Sequence, residues 1–166
     1  MKSIFYFLLL SVAFVGVSCG DDDDEGGNGG NTSPTVFVKA TIGESAFETS
    51  ELSVSSSKSG GITSITARSG DDGDESAFFI SLYGDPEVKT YTLTENSTED
   101  GMSVIYYPVY PSSASKSTYR MTSGEFTIDS YEDKMIKGSF SGTVINSPDE
   151  DKLTVTSGTF SLMIPE

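Results

Sequence analysis

Ser123-Gly124-Glu125-Phe126-Thr127-Ile128, Lys137-Gly138-Ser139-Phe140-Ser141-Gly142 and Ser157-Gly158-Thr159-Phe160-Ser161-Leu162 repeat one pattern near the end of the chain. In each, a Gly stands two residues before a Phe, with Ser or Thr next. Residues two apart share one face of a strand. A large Phe fits beside the backbone of a neighbouring strand only where that strand offers no Cβ, so the pattern has a packing reason. No helix start or phosphate-binding Lys accompanies these glycines, which leaves packing as their role.

Working outward, Gly124 to Ser130, Met135 to Ile145 and Leu153 to Ile164 read as three long strands lying side by side. In the second, Ile136, Gly138, Phe140, Gly142 and Val144 share a face. In the third, Leu153 and Val155 are out of phase with Phe160, Leu162 and Ile164, which predicts a bulge near Ser157-Gly158. Phe126, Ile128, Phe140, Val144, Phe160 and Leu162 are the expected core.

Upstream, the same period-two pattern begins at Thr35, with turn residues about every ten positions. Val36, Val38, Ala40 and Ile42 alternate with Phe37, Lys39 and Thr41 and stop at Gly43. Leu52 and Val54 mark a second strand, Ile62 and Ile65 a third, and Phe78, Ile80 and Leu82 a central one. Val88, Tyr91 and Leu93 begin the next. Met102 to Tyr107 is a further strand, placed at an edge or exit because Pro108 and Pro111 cannot donate to a ladder. The fold class is all-β: a single antiparallel β-sandwich or flattened β-barrel of about ten strands, built from sequential hairpins.

The chain has 166 residues, a formal net charge of −15, no His, no Trp and one Cys. Its 28 Ser and 17 Thr are matched by few bases. The net charge disfavours nucleic acid, and the absence of His together with a single Cys excludes His-based triads, Cys/His zinc sites and disulfide scaffolds. No cofactor is implied. Length and apolar content suit one domain with a modest core.

At the start, Lys2 precedes an apolar run from Ile4 to Val17, 14 residues long, that ends at Ser18-Cys19-Gly20. As a helix it would cover about 21 Å, short of a bilayer core of about 30 Å. A basic start, a short apolar stretch and small residues make residues 1–18 a signal peptide. The junction resembles a bacterial lipobox, whose Cys, here Cys19, becomes the lipidated N-terminus. Several acyl chains on one Cys form a durable membrane anchor. Residues 19–34 then read as a disordered tether, with Asp21-Asp22-Asp23-Asp24-Glu25 before a Gly/Asn-rich stretch. The acidic run is either a solvated spacer or, as it resembles, the export signal that carries Bacteroidetes lipoproteins to the outer face of the outer membrane. Residues 35–166 are the β domain.

Candidate chemistry is sparse. Ser113 and Lys116 have Ser-x-x-Lys spacing but lie in a Ser-rich loop after Pro111, not on the helical turn such a pair needs. Asp71-Asp72-Gly73-Asp74-Glu75 is the best calcium candidate, yet Ala77 stands where an EF-hand needs Gly, so an acidic hairpin is the plainer reading. The acidic residues lie mostly in turns, as in Asp149-Glu150-Asp151. Tyr106, Tyr107 and Tyr110, beside Pro108 and Pro111, form a candidate binding surface able to stack on sugars or anchor a protein.

Signal peptide, acidic tether, an opening strand Val36-Phe37-Val38-Lys39-Ala40-Thr41-Ile42-Gly43 and closing Gly-x-Phe strands together resemble a family of small Bacteroidetes surface lipoproteins with one β domain and no assigned activity. The resemblance implies the fold and an outer-membrane, surface-facing location, with the periplasmic face as the alternative. The expected function is therefore a non-catalytic, lipid-anchored binding or accessory module for a protein or glycan. The competing expectation is a carboxylate-dependent hydrolase acting on glycans.

Overall fold

The computed structural model describes residues 35–49, 53–71, 75–96, 101–110, 118–147 and 149–166. The expectations for the signal peptide, Cys19, the acidic tether, Leu52, Asp72 to Asp74, Pro111, Ser113 and Lys116 lie outside these residues. Among the described residues there are ten strands and no α-helix: β1 (Phe37–Ile42), β2 (Ser45–Glu48), β3 (Val54–Ser59), β4 (Ile62–Ser69), β5 (Glu75–Tyr83), β6 (Thr90–Leu93), β7 (Met102–Tyr110), β8 (Tyr119–Glu132), β9 (Met135–Asn146) and β10 (Asp151–Met163).

All ten belong to one antiparallel sheet in the order β2-β1-β10-β9-β8-β7-β5-β4-β3, with β6 paired to β8 beside β7. The two ends of that path, β2 and β3, are consecutive in sequence. Laid flat, nine strands about 4.8 Å apart would separate these ends by roughly 38 Å. The link from Glu48 to Val54 reaches only about 20 Å. The sheet must therefore curl, and it forms a half-barrel. Contacts cross the interior accordingly. The ring of Phe47 on β2 lies 4.8 Å from that of Phe78 on β5, and Glu48 N donates to Ser69 Oγ of β4 at 3.3 Å.

The Gly-x-Phe pattern lets β8, β9 and β10 approach one another closely. Gly138 pairs with Phe160, Gly158 with Phe140, and Gly124 with Gly142. A Cβ on Gly138 would lie 2.7 Å from Phe160 Cζ, and one on Gly158 would lie 2.7 Å from the Phe140 ring. Above the vacated positions the rings of Phe126 and Phe160 stack at 4.4 Å, and Phe140 meets Phe126 at 5.9 Å and Phe78 at 5.5 Å. All six expected core residues of the last three strands are buried. The β10 bulge falls where the pattern changes phase, between Val155 and Gly158, and Ser157 takes a left-handed φ of 52° there.

Several boundaries differ from expectation. β2 lies outside the strands that alternation predicts, because its two apolar residues, Ala46 and Phe47, are adjacent and carry no period-two pattern; pairing with β1 forms it. Ile62 faces solvent while Thr63, Ile65 and Ala67 face inward, since Ile62 and Ile65 have opposite parity. The strand expected from Val88 starts at Thr90, leaving Val88 exposed. β7 is not an edge strand: it runs through Pro108 to Tyr110 between β5 and β8. Proline is tolerated because the β5–β7 ladder steps from Ala77↔Tyr107 to Glu75↔Tyr110, a bulge that leaves Pro108 without a ladder partner. On its other side, among the described residues, β7 pairs with β8 at Ile105 and Tyr106.

Candidate functional site

The three tyrosines of the sequence-level surface do not act together. Adjacent strand residues point to opposite faces, so Tyr106 enters the core, at 7% exposure, while Tyr107 faces outward. Inside, the Tyr106 ring lies 5.1 Å from Phe78 and 6.5 Å from Phe47. Burial pushes its hydroxyl pKa up, opposed in part by a hydrogen bond with Ser76. Tyr106 is thus a core residue, which corrects its assignment to the surface.

Tyr107 and Tyr110, three residues apart, would lie on opposite faces of a regular strand. The Pro108 bulge adds one residue and restores the phase, so both rings share the outer face with Phe79 of β5. Phe79 lies 5.1 Å from Tyr107 and 5.5 Å from Tyr110, and the two tyrosines are 6.1 Å apart. All three are half-buried. Beneath them Ala77, the ladder partner of Tyr107, is fully covered although it faces away from the core cluster. The ion pair between Arg68 Nη1 and Glu75 Oε2, 3.6 Å, borders the patch, and Arg120 pairs across the ladder with Ile105 beside Phe79. These are the only two arginines of the chain. The signal for Phe79 was its phase opposite to Phe78 and Ile80; what the sequence lacked was the partner strand.

At the start of β8, the Tyr119 hydroxyl donates to Asp151 Oδ2 of β10 at 2.7 Å. That bond, then burial and the nearby carboxylates, push the Tyr119 pKa up to about 12. The pair ties β8 to the β9–β10 turn, where Glu150 adopts a φ of 53°.

A second outward feature surrounds Phe37 of β1. Two clefts, about 510 and 400 Å³, share Thr35, Phe37 and Thr159 as lining and so adjoin at Phe37; the pair is called the Phe37 groove. Lys39 and Glu48 line one side, joined at 2.7 Å, with the Lys39 ammonium 5.6 Å from the ring centroid. Lys137 of β9 and Ser161 of β10 line the other. Thr49 fixes the first wall by accepting from Val38 N at 2.8 Å and donating its own N–H to Val38 O at 3.0 Å. Sequence reasoning placed Phe37 in the outward phase but gave it no role.

A third cleft of about 210 Å³ lies over the β10 bulge, lined by Glu125, Ser139, Ser141 and Ser157 among others. None of the three clefts joins two carboxylates. Among the described residues no three acidic, His or Cys side chains gather as a metal site would require. Comparison with family models, with curated proteins and with solved structures finds no match.

Proposed function

We propose that this chain is a lipid-anchored protein of the outer membrane, facing the cell exterior, whose β domain is a non-catalytic binding module. The anchor reading is supported by the sequence alone: a short apolar leader ending at the only Cys of the chain, followed by five consecutive acidic residues. The binding reading is carried by one observation, the outward trio Phe79, Tyr107 and Tyr110. A strand needs no aromatic cluster on its solvent face to pack its core. Rings gathered there supply contact area at low entropic cost, as interface anchors do. A glycan hydrolase needs two carboxylates flanking one cleft, and none of the three clefts, all lined by residues of or next to β1, β2, β8, β9 and β10, joins two.

Fractionation of cells producing wild type and Cys19→Ala tests the anchor. The wild-type protein should partition with outer membranes and the variant should be released into the soluble fraction. A variant that remains in the membrane after leader cleavage would refute it.

A further inference from the structure

We propose that the groove centred on Phe37 binds an oligosaccharide carrying a single acidic sugar. The site is distinct from the Phe79–Tyr107–Tyr110 patch, and neither needs the other.

The chemistry follows from what lines the groove and from what the backbone there can no longer do. β1 lies between β2 and β10, and β10 between β1 and β9, so their ladder groups are occupied on both edges. An extended peptide therefore cannot add a strand to β1 or β10, and main-chain capture of a peptide could use only the outer edge of β2, one strand away from Phe37. An acyl chain would meet the exposed Thr35 and Thr159, whose hydroxyls offer it nothing. A sugar fits both surfaces: its C–H face stacks on the Phe37 ring, and its hydroxyls reach the exposed Thr35 and Thr159 and the Lys39–Glu48 pair.

Charge sets the remaining requirement. Lys39 and Glu48 neutralise each other, leaving Lys137 as the groove-lining cation with no ion pair among the described residues. Among the described residues, the carboxylates in ion pairs belong to other cations: Glu48 to Lys39, Asp85 to Lys58, Glu75 to Arg68, Glu87 to Lys89 and Glu166 to Lys134. One carboxylate on the ligand answers one free ammonium. A polyanion is disfavoured because the chain as a whole carries −15, and its charges beyond the first would meet that field with no cation to balance them.

The test applies the full-length protein in detergent micelles to an array of neutral, singly carboxylated and polyanionic oligosaccharides. Titration calorimetry with the retained sugars and their neutral counterparts follows. Retention should be confined to glycans with one acidic sugar. Phe37→Ala should weaken binding at least tenfold, and Lys137→Gln should reduce the acidic sugar to the affinity of its neutral counterpart. Both residues face outward, so both variants should melt within a few degrees of wild type, and Lys152→Gln, an exposed cation of β10 outside the groove, should bind normally. The proposal is overturned by an array without retention, by equal binding of neutral and acidic sugars, or by a Lys137→Gln variant that keeps the preference. It is equally overturned if phosphatidylglycerol vesicles occupy the groove and the sugars do not.

Discussion

Gly138→Ala puts a methyl group where the curled sheet has no room for one. A Cβ at this position would stand 1.9 Å from the Thr127 carbonyl oxygen and 2.7 Å from Phe160 Cζ. Comfortable contacts lie near 3.5 Å or beyond, so the Thr127 carbonyl would have to retreat by about 1.5 Å. It has nowhere to go: Thr127 pairs with Ser139 of β9 on one side and with Thr90 of β6 on the other. Overpacking of this kind costs about 1–3 kcal/mol, and a ladder hydrogen bond broken in relieving it adds about 1–3 kcal/mol. The variant should lose about 3–5 kcal/mol, which for a domain of this size lowers Tm by roughly 10–20 °C. Gly61→Ala is the control: its φ is 78°, but a Cβ there meets nothing within 4 Å, so only the left-handed strain of about 1–2 kcal/mol applies. Thermal and urea unfolding, followed by circular dichroism and tyrosine fluorescence, separate the two. A Gly138→Ala variant no less stable than Gly61→Ala would refute the assignment of the Gly-x-Phe glycines to close strand approach. Phe160→Leu should not rescue Gly138→Ala, because the backbone contact remains.

Phe140→Ala removes a ring that is 3% exposed and packs on Phe78, Phe126 and Phe160; a loss of about 3–5 kcal/mol is expected in urea unfolding, against about 1 kcal/mol or less for outward Phe79→Ser. The Tyr119 hydroxyl, held by Asp151, has its pKa raised from 10.0 to about 12. Its contribution is therefore fully present below pH 10 and lost as pH rises toward 12, so unfolding midpoints should fall across that window and Tyr119→Phe should flatten the fall. Replacing Asp21 to Glu25 by Ser or Asn should make the domain inaccessible to protease added to intact cells; unchanged accessibility would reduce the run to a spacer.

What was legible in the sequence was local and periodic. Alternation fixed the inward faces of β5, β8, β9 and β10, and the phase change between Val155 and Phe160 announced the bulge that appears at Ser157. Gly beside Phe forecast which strands lie together, because close approach leaves a chemical mark: a missing Cβ opposite a large ring. These signals depend on a residue and its near neighbours, which is why one chain suffices to read them.

Tertiary structure decided the rest. β2 is a strand only because β1 offers it a ladder, and the curling of the sheet into a half-barrel follows from the short link between the ends of the strand path. Tyr106, Tyr107 and Tyr110 looked like one surface in sequence. Their separation into a core tyrosine and an outer pair depends on a bulge set by the register of β5 against β7. The Phe37 groove gathers residues from β1, β2, β9 and β10, more than a hundred positions apart at the extremes. Pairing between distant strands is paid in loop-closure entropy and returned by burial across the whole sheet, so no short stretch of sequence carries its signature.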